Sequence, residues 1–352
     1  MSPRTDTSPI RSRIERFALT VLTRLAMIGL AVMPLAAQAE PFKLKLSFFT
    51  SDRSYIYQNQ AKPFVDAVND EGRGLIEIDV DFSSAVTKAQ DQMSQLVANG
   101  TADIAIIVPG LTPDRFGDTG VMELPGIFRD SREASLVFTR LIQADALEGY
   151  SDFFVVGAYV SGAEVIHSRK PVAANMDLTG LTIRTNNQTE GAVLEKLGAT
   201  SLLLSINQTT DAISREKIDA ATFPPSMVFE FGIGRVTKYH YMLQVGGAPV
   251  ALVLNRKKFE SLPPKAQAVI RKYSGPWLAD RAATGLATLD KLILEQLKSD
   301  PRRTVTFPSP SDLESAQRIY ASVVEDWAGK NAHNRELLGV VEAEIAKIRS
   351  KP

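Results

Sequence analysis

The chain has 352 residues, long enough for two lobes of ordinary size with substantial cores, and its 44% apolar and 23% charged residues describe a globular protein. Forty basic residues against forty acidic ones leave no net charge, which excludes an electrostatic nucleic-acid binder built on a basic stripe. With no cysteine, disulfide staples, thiol catalysis and lipoprotein anchoring are excluded as well.

The first 39 residues differ from the rest. Arg4, Arg11, Arg13, Arg16 and Arg24 precede the apolar run Leu25 to Ala37, and Ala37-Gln38-Ala39 supplies small residues before Glu40. A basic stretch, a short apolar stretch and an A-x-A site read as a cleaved secretory signal peptide, which points to a bacterial periplasm, with an exported extracellular protein as the alternative. The apolar run is about 13 residues, short of the roughly 20 that a spanning helix needs. Without this segment's five arginines, one aspartate and one glutamate, the net charge is about −3.

"PFKLKLSFF" then alternates Phe42, Leu44, Leu46 and Phe48 with polar residues, the period of a strand. A helix is predicted around Ala61 to Asn69. "LIEIDVDF" repeats the alternation through Ile76, Ile78, Val80 and Phe82. "TKAQDQMSQLVANG" puts Ala89, Met93, Leu96 and Val97 on one helical face and stops at Gly100. "ADIAIIV", Ala102 to Val108, is continuously apolar, as a central parallel strand should be. This β-α-β-α-β order implies a parallel sheet with helices on both faces.

A second set of elements begins near "FVVGAYV", Phe154 to Val160. "DLTGLTIRT" reads as a turn feeding a short buried strand that ends on Arg184, and a helix from about Thr189 to Leu197 closes at Gly198. Another helix near Thr209 to Arg215 leads into "KIDAATF". "VALVLN", Val250 to Asn255, reads as a strand that returns to the first sheet. Gly275 to Ser299 predicts a helix of about 25 residues, about 37 Å long, enough to lie across two lobes. Ser311-x-x-Glu314 has the form of a capping box ahead of Ile319, Val323 and Trp327. The expected division is a signal peptide at 1–39, a first lobe of 40–161 plus about 249–285, and a second of 162–248 plus about 286–352 with the C-terminal helices. Two α/β lobes joined by crossing strands and a bracing helix suggest a ligand cleft.

Motifs of catalysis are missing. His167, His240 and His333, the only histidines, form no metal-binding spacing, so neither a metal nor a cofactor is expected. "FGIGRV" lacks the third glycine of a dinucleotide fingerprint and reads as a turn. No nucleophile with its base is nominated. What stands out is Arg184, a permanent cation at the end of a buried strand, where either a guest anion or a protein carboxylate such as Glu190 or Glu164 must answer it.

"DLTGLTIRT" resembles the "D-L-K-G-L-K-I-R" signature of the solute-binding proteins of tripartite ATP-independent periplasmic (TRAP) transporters, the DctP family. "NGTADIAIIVPGLTPDRFGD", "MELPGIF", "LEKLGAT", "KIDAATFPP" and "LVLNRKKFESLPPKAQAVI" resemble further family segments in the same order, over essentially the whole chain after residue 39. The resemblance implies a two-lobed α/β periplasmic binding fold, a parallel or mixed sheet in each lobe, hinge strands and a long helix spanning both. It also implies closure on a small organic anion whose carboxylate is clamped by Arg184, and delivery to a permease of small and large membrane subunits driven by a cation gradient. Elsewhere the pocket departs from the sialic-acid-binding members. Glu164 stands where they place a second arginine, Phe223 where they place an asparagine, and Phe49 and Val108 replace polar contacts. Ile206 also falls at a pocket-lining position, and Asn186 follows the arginine strand. These changes favour a monocarboxylate with an apolar or aromatic body over a sugar acid, with a dicarboxylate as the second reading. Glu164 either accepts a hydrogen bond from the ligand or neutralises Arg184 in the empty protein. A sensory binding protein feeding a receptor is the competing function, and an exported enzyme acting on a carboxylated substrate the more distant one.

Overall fold

The computed structural model describes residues 40–82 and 90–350; the expected signal peptide and the start of the "TKAQDQ" helix, including Ala89, lie outside them. The strands in chain order are β1 (Phe42–Ser47), β2 (Ile76–Asp81), β3 (Ile104–Ile107), β4 (Phe153–Val160), β5 (Glu164–Ser168), β6 (Thr182–Thr185), β7 (Thr200–Leu203), β8 (Ala220–Phe223), β9 (Tyr239–Gly246), β10 (Pro249–Asn255) and β11 (Thr304–Thr306). They form a five-stranded sheet, β2-β1-β3-β10-β4, and a six-stranded sheet, β11-β9-β5-β8-β6-β7. In the first, β1, β2 and β3 are parallel, as the β-α-β-α-β order requires, and β10 enters antiparallel between β3 and β4. "VALVLN" therefore does return to the first sheet, and "FVVGAYV" is that sheet's edge strand. In the second, β6, β7 and β8 are parallel while β5 runs antiparallel to both β8 and β9.

Two short crossings join the sheets, one between β4 and β5 and the other between β9 and β10. They are tied to each other: Ser161 N–H donates to the Ala248 carbonyl at 2.8 Å, and Ala248 N–H donates to the Ser161 hydroxyl at 3.0 Å. Gly247 keeps this approach open, because a Cβ there would stand 2.9 Å from the Val160 side chain.

The third connection is the long helix Pro276–Ser299. Gly275 at φ +64° starts it, with its N–H on the Val156 carbonyl of β4 at 2.7 Å, and Pro276 occupies the first helical position, where a missing N–H costs nothing. Leu278, Ala282, Leu286, Ile293 and Leu297 recur at helical spacing and are buried. One end packs on β4 and the helix Ser131–Gln143, the other on the turn Pro225–Met227 and β11. Asp290 pins that second end by accepting the Ser226 N–H at 2.8 Å.

The central core runs through both sheets. Leu46, Ile104, Val156 and Leu252 of the first, with Phe48 just after β1, pack in one cluster with Ala221 and Phe223 of the second and Ile233 of the short helix Ile233–Val236. Each large side chain so buried contributes roughly 1.5–3 kcal/mol, so this cluster resists pulling the lobes apart.

Two boundaries differ from expectation. The capping box sits at Ser309 and Asp312, two residues early, because Pro310 takes the first helical position and Asp312 reaches back to the Ser309 N–H. The last helix, Ala332–Arg349, packs on the first lobe: Leu337, Leu338, Val341 and Ile345 bury against the cluster of Val137, Phe138 and Val253. Assigning both C-terminal helices to the second lobe therefore misses the packing of the last one. Its apolar stripe marks a face to be covered, without saying by which sheet.

Candidate functional site

Parallel strands that end together make a crevice at their carboxyl ends. Phe49 follows β1 and Val108 follows β3; Asn186 follows β6 and Phe223 ends β8. Glu164 opens β5, which is antiparallel, so its first residue lies at the same edge, with Val165 opposite Phe223. Ile206 begins the helix Ile206–Ser214. All of these, with Arg184 of β6, line one cavity of about 80 Å³ between the sheets.

Arg184 is 2% exposed. Its Nε donates to the Leu204 carbonyl at 2.8 Å and its Nη1 to the Thr222 carbonyl at 3.0 Å. The Phe223 ring lies under the guanidinium, 4.4 Å from Cζ to the centroid. Carbonyls and ring hold the fork without cancelling its charge. Two of the five N–H groups are occupied; among the described residues no carboxylate oxygen comes within 4 Å of its nitrogens. Burial lowers its pKa to about 10, with the charges of Glu164 and Glu190 opposing, so it is cationic at neutral pH. Of the two expected partners, a protein carboxylate is not on the guanidinium among the described residues.

Glu190 and Glu164 share its surroundings but differ in how they are held. Glu190 accepts from Thr222 Oγ1 at 2.8 Å and from Asn187 Nδ2 at 3.0 Å. Glu164 accepts from Ser161 Oγ at 3.1 Å through Oε1, while Oε2 is buried with no hydrogen-bond partner. Burial raises both pKa values. For Glu164 the charge of Glu190 adds to burial, with the charge of Arg184, the Ser161 hydroxyl and the nearby Asn186 side chain opposing, and its pKa lies well above the ordinary carboxyl value. Glu190 has the better donors, so of the two it ionises more readily, while Glu164 holds its proton more tightly.

The remaining wall is mostly apolar. Ile56, Ile106, Met227 and Leu286 stand in it, with Gln60, Tyr159 and Ser161 as further polar members, and Tyr159 donates to the Gln60 side-chain oxygen. None of these was singled out from the sequence, though a tyrosine inside "FVVGAYV" was the visible signal for Tyr159. Across the cleft, Phe49 stacks on Phe231 with centroids 6.5 Å apart, and Glu230 accepts the Tyr55 N–H at 3.1 Å.

Behind Phe223 lies a relay unsuspected from the sequence. Arg303 Nη1 is 3.4 Å from His240 Nε2, His240 Nδ1 is 2.7 Å from His167 Nδ1, and His167 Nε2 is 3.1 Å from the Phe223 carbonyl. Because arginine only donates, His240 carries its proton on Nδ1 and His167 on Nε2. Burial holds His167 down to about 4, which keeps its imidazole neutral.

A bilobal α/β fold with an unpaired buried cation in an interlobe cavity defines a protein that binds a small anion between its lobes. The chain belongs to the bacterial extracellular solute-binding protein family 7, DctP, whose family model matches residues 47–331. A TRAP solute-binding protein from Rhodoferax ferrireducens, solved with copurified benzoate, is 26% identical, with a TM-score of 0.79 over 87% of this chain and 98% of that one. A marine-metagenome TRAP protein specific for aromatic acid ligands shares the fold at 22% identity and a TM-score of 0.80, over 87% of this chain and 99% of that one. The 2,3-diketo-L-gulonate-binding periplasmic protein YiaO of Escherichia coli is 28% identical over 70% of this chain and 76% of its own length.

Proposed function

We propose that the protein captures a small organic monocarboxylate with an apolar or aromatic body, its carboxylate on Arg184 and its body against Phe49, Val108, Ile206 and Phe223. The observation that carries this reading is the cavity-lining guanidinium with no protein carboxylate on its nitrogens. A planar fork matches a carboxylate in two parallel hydrogen bonds, and Phe223 and the two carbonyls hold it ready. Arg184 and Glu164 are the lining residues of the cavity with a cationic or a carboxyl side chain. A dicarboxylate's second anion would meet Glu164 and no second cation. A sugar acid's several hydroxyls would meet a wall in which apolar side chains outnumber polar ones.

The relatives point both ways, since one carries benzoate and another is named for a keto sugar acid. Identities of 26% and 28% do not separate them; the mostly apolar lining supports the benzoate-like guest. As a family member the chain binds without transforming its ligand, is exported through residues 1–39, and presents the closed complex to a TRAP permease of small and large subunits. Closure follows because a ligand touching both lobes binds the closed state better.

A thermal-shift screen of benzoate, hydroxybenzoates, branched-chain acids, dicarboxylates and sugar acids tests the reading. An acid at a hundred times its dissociation constant stabilises by about 2.7 kcal/mol. Stabilisation by aryl or branched acids is the expected result, while tight binding of sugar acids alone would refute the apolar guest.

A further inference from the structure

Glu164 lines the cavity that holds the Arg184 fork, and one of its carboxyl oxygens, Oε2, is buried with no hydrogen-bond partner among the described residues. A buried polar atom without a hydrogen bond is costly unless something completes it. We propose that Glu164 acts as a neutral acid, donating its own proton to an oxygen of the bound carboxylate, so that the site holds an anion and a proton together. This rests on the monocarboxylate reading above and names the second group that recognises the ligand.

Charge decides between donor and acceptor. The groups facing Glu164 are Arg184 from β6, Glu190 from the helix Gln188–Lys196, Ser161 from the β4–β5 crossing and Asn186 after β6. Glu190, held by Thr222 and Asn187, is the carboxyl beside the guanidinium that ionises more readily. A ligand carboxylate adds its own negative charge to that of Glu190, and an ionised Glu164 would add a third. An opposite ordering, with Glu164 ionised and accepting from the ligand, would place two anions beside one fork without a further cation to offset them. A nearby anion disfavours ionisation of a carboxyl, so ligand binding tightens the hold on Glu164's proton. Glu164 then gives the Oε2 side its missing partner, and the acid's remaining lone pairs gain a donor beyond the fork. A ligand amine, by contrast, would lack an acceptor here.

The test uses benzoate and 3-hydroxybenzoate with the full mature chain. Titration calorimetry from pH 5 to 9 in buffers of different ionisation enthalpy reads the proton balance, and infrared difference spectra of the complex read the protonated carboxyl band. Expected are that band at pH 7, lost in Glu164→Gln, and a dissociation constant that rises towards about tenfold per pH unit once free Glu164 ionises. Glu164→Gln, which keeps a donor without a charge, should bind within about threefold of the parent at pH 6 and show no such pH dependence, whereas Glu164→Ala should weaken binding by about tenfold. Glu190→Gln and Glu123→Gln identify any proton coupling that belongs to those groups. Absence of the carboxyl band, affinity that strengthens with rising pH, or unchanged binding by Glu164→Ala overturns the donor role and leaves the monocarboxylate reading standing. Failure of every acid to bind at any pH overturns both.

Discussion

The cavity around Arg184 and a second one, about 490 Å³ and lined by Gly110, Glu123, Thr189, Trp327 and Lys330 among others, differ in a way that locates the chemistry. The larger one has the more numerous charges, but Asp114, Glu148, Asp326 and Lys330 stand exposed on its rim, and Asp326 is paired with Lys196 at 2.9 Å. Water already solvates them, so a guest gains little by replacing it. The smaller cavity has one buried cation without a carboxylate partner and one acid oxygen without a hydrogen bond among the described residues. On the proposed function it is this unmet demand, and not volume, that points to the binding site.

The strongest way to break this contrast is Arg184→Ala. Removing one partner of a buried, hydrogen-bonded charge pair costs about 3–5 kcal/mol, so affinity for the acid should fall by at least two orders of magnitude by calorimetry. Arg184→Lys should not restore it, since an ammonium lacks the planar fork. Full affinity in Arg184→Ala would move the site elsewhere.

Glu123 sharpens the contrast from the other cavity. It accepts from Thr189 Oγ1 at 3.1 Å, and burial, then the charge of Glu190, push its pKa up to about 8. A carboxyl raised on folding binds more protons in the native state, so its contribution is complete below about 4.5 and is lost as pH rises through about 8. Urea denaturation should show the parent losing up to roughly 4 kcal/mol against Glu123→Gln over that window, with acid affinity changing far less. Equal slopes for both proteins would remove the buried charge assignment.

A smaller effect is expected at the apolar wall. Val108→Asn puts an amide where the ligand body should lie and should weaken binding of an aryl acid by about 1–3 kcal/mol, read by calorimetry. Improved binding would mean that a polar guest belongs there. Least of all should Asp326→Asn on the larger cavity's rim matter: an exposed pair is worth about 0–1 kcal/mol, and acid affinity should stay within about twofold. A large loss would make the larger cavity part of the site.

Local pattern carried much of this far. Alternation in "FKLKLS" and "IEIDVD" marks β1 and β2, and the continuous run Ile104–Ile107 marks a strand buried on both faces. The arginine at the end of "TIRT" and the six other residues singled out with it converge on one cavity. Less legible was what each polar group would meet. Nothing near Glu164 in the chain says that one of its oxygens goes unpartnered, and nothing near His167 says that His240, 73 residues away, lies 2.7 Å off.

By itself, then, the sequence determined the elements, the buried faces and a cation at a strand's end, because periodicity and side-chain chemistry are properties of short stretches. Only the tertiary structure decided that Arg184 is held by the carbonyls of Leu204 and Thr222 instead of a carboxylate, that Glu164 is left half satisfied, and that the last helix packs on the first lobe. Those outcomes depend on which distant backbone arrives beside a given side chain and on how dry the meeting place is, and both are set by the packing of the two sheets.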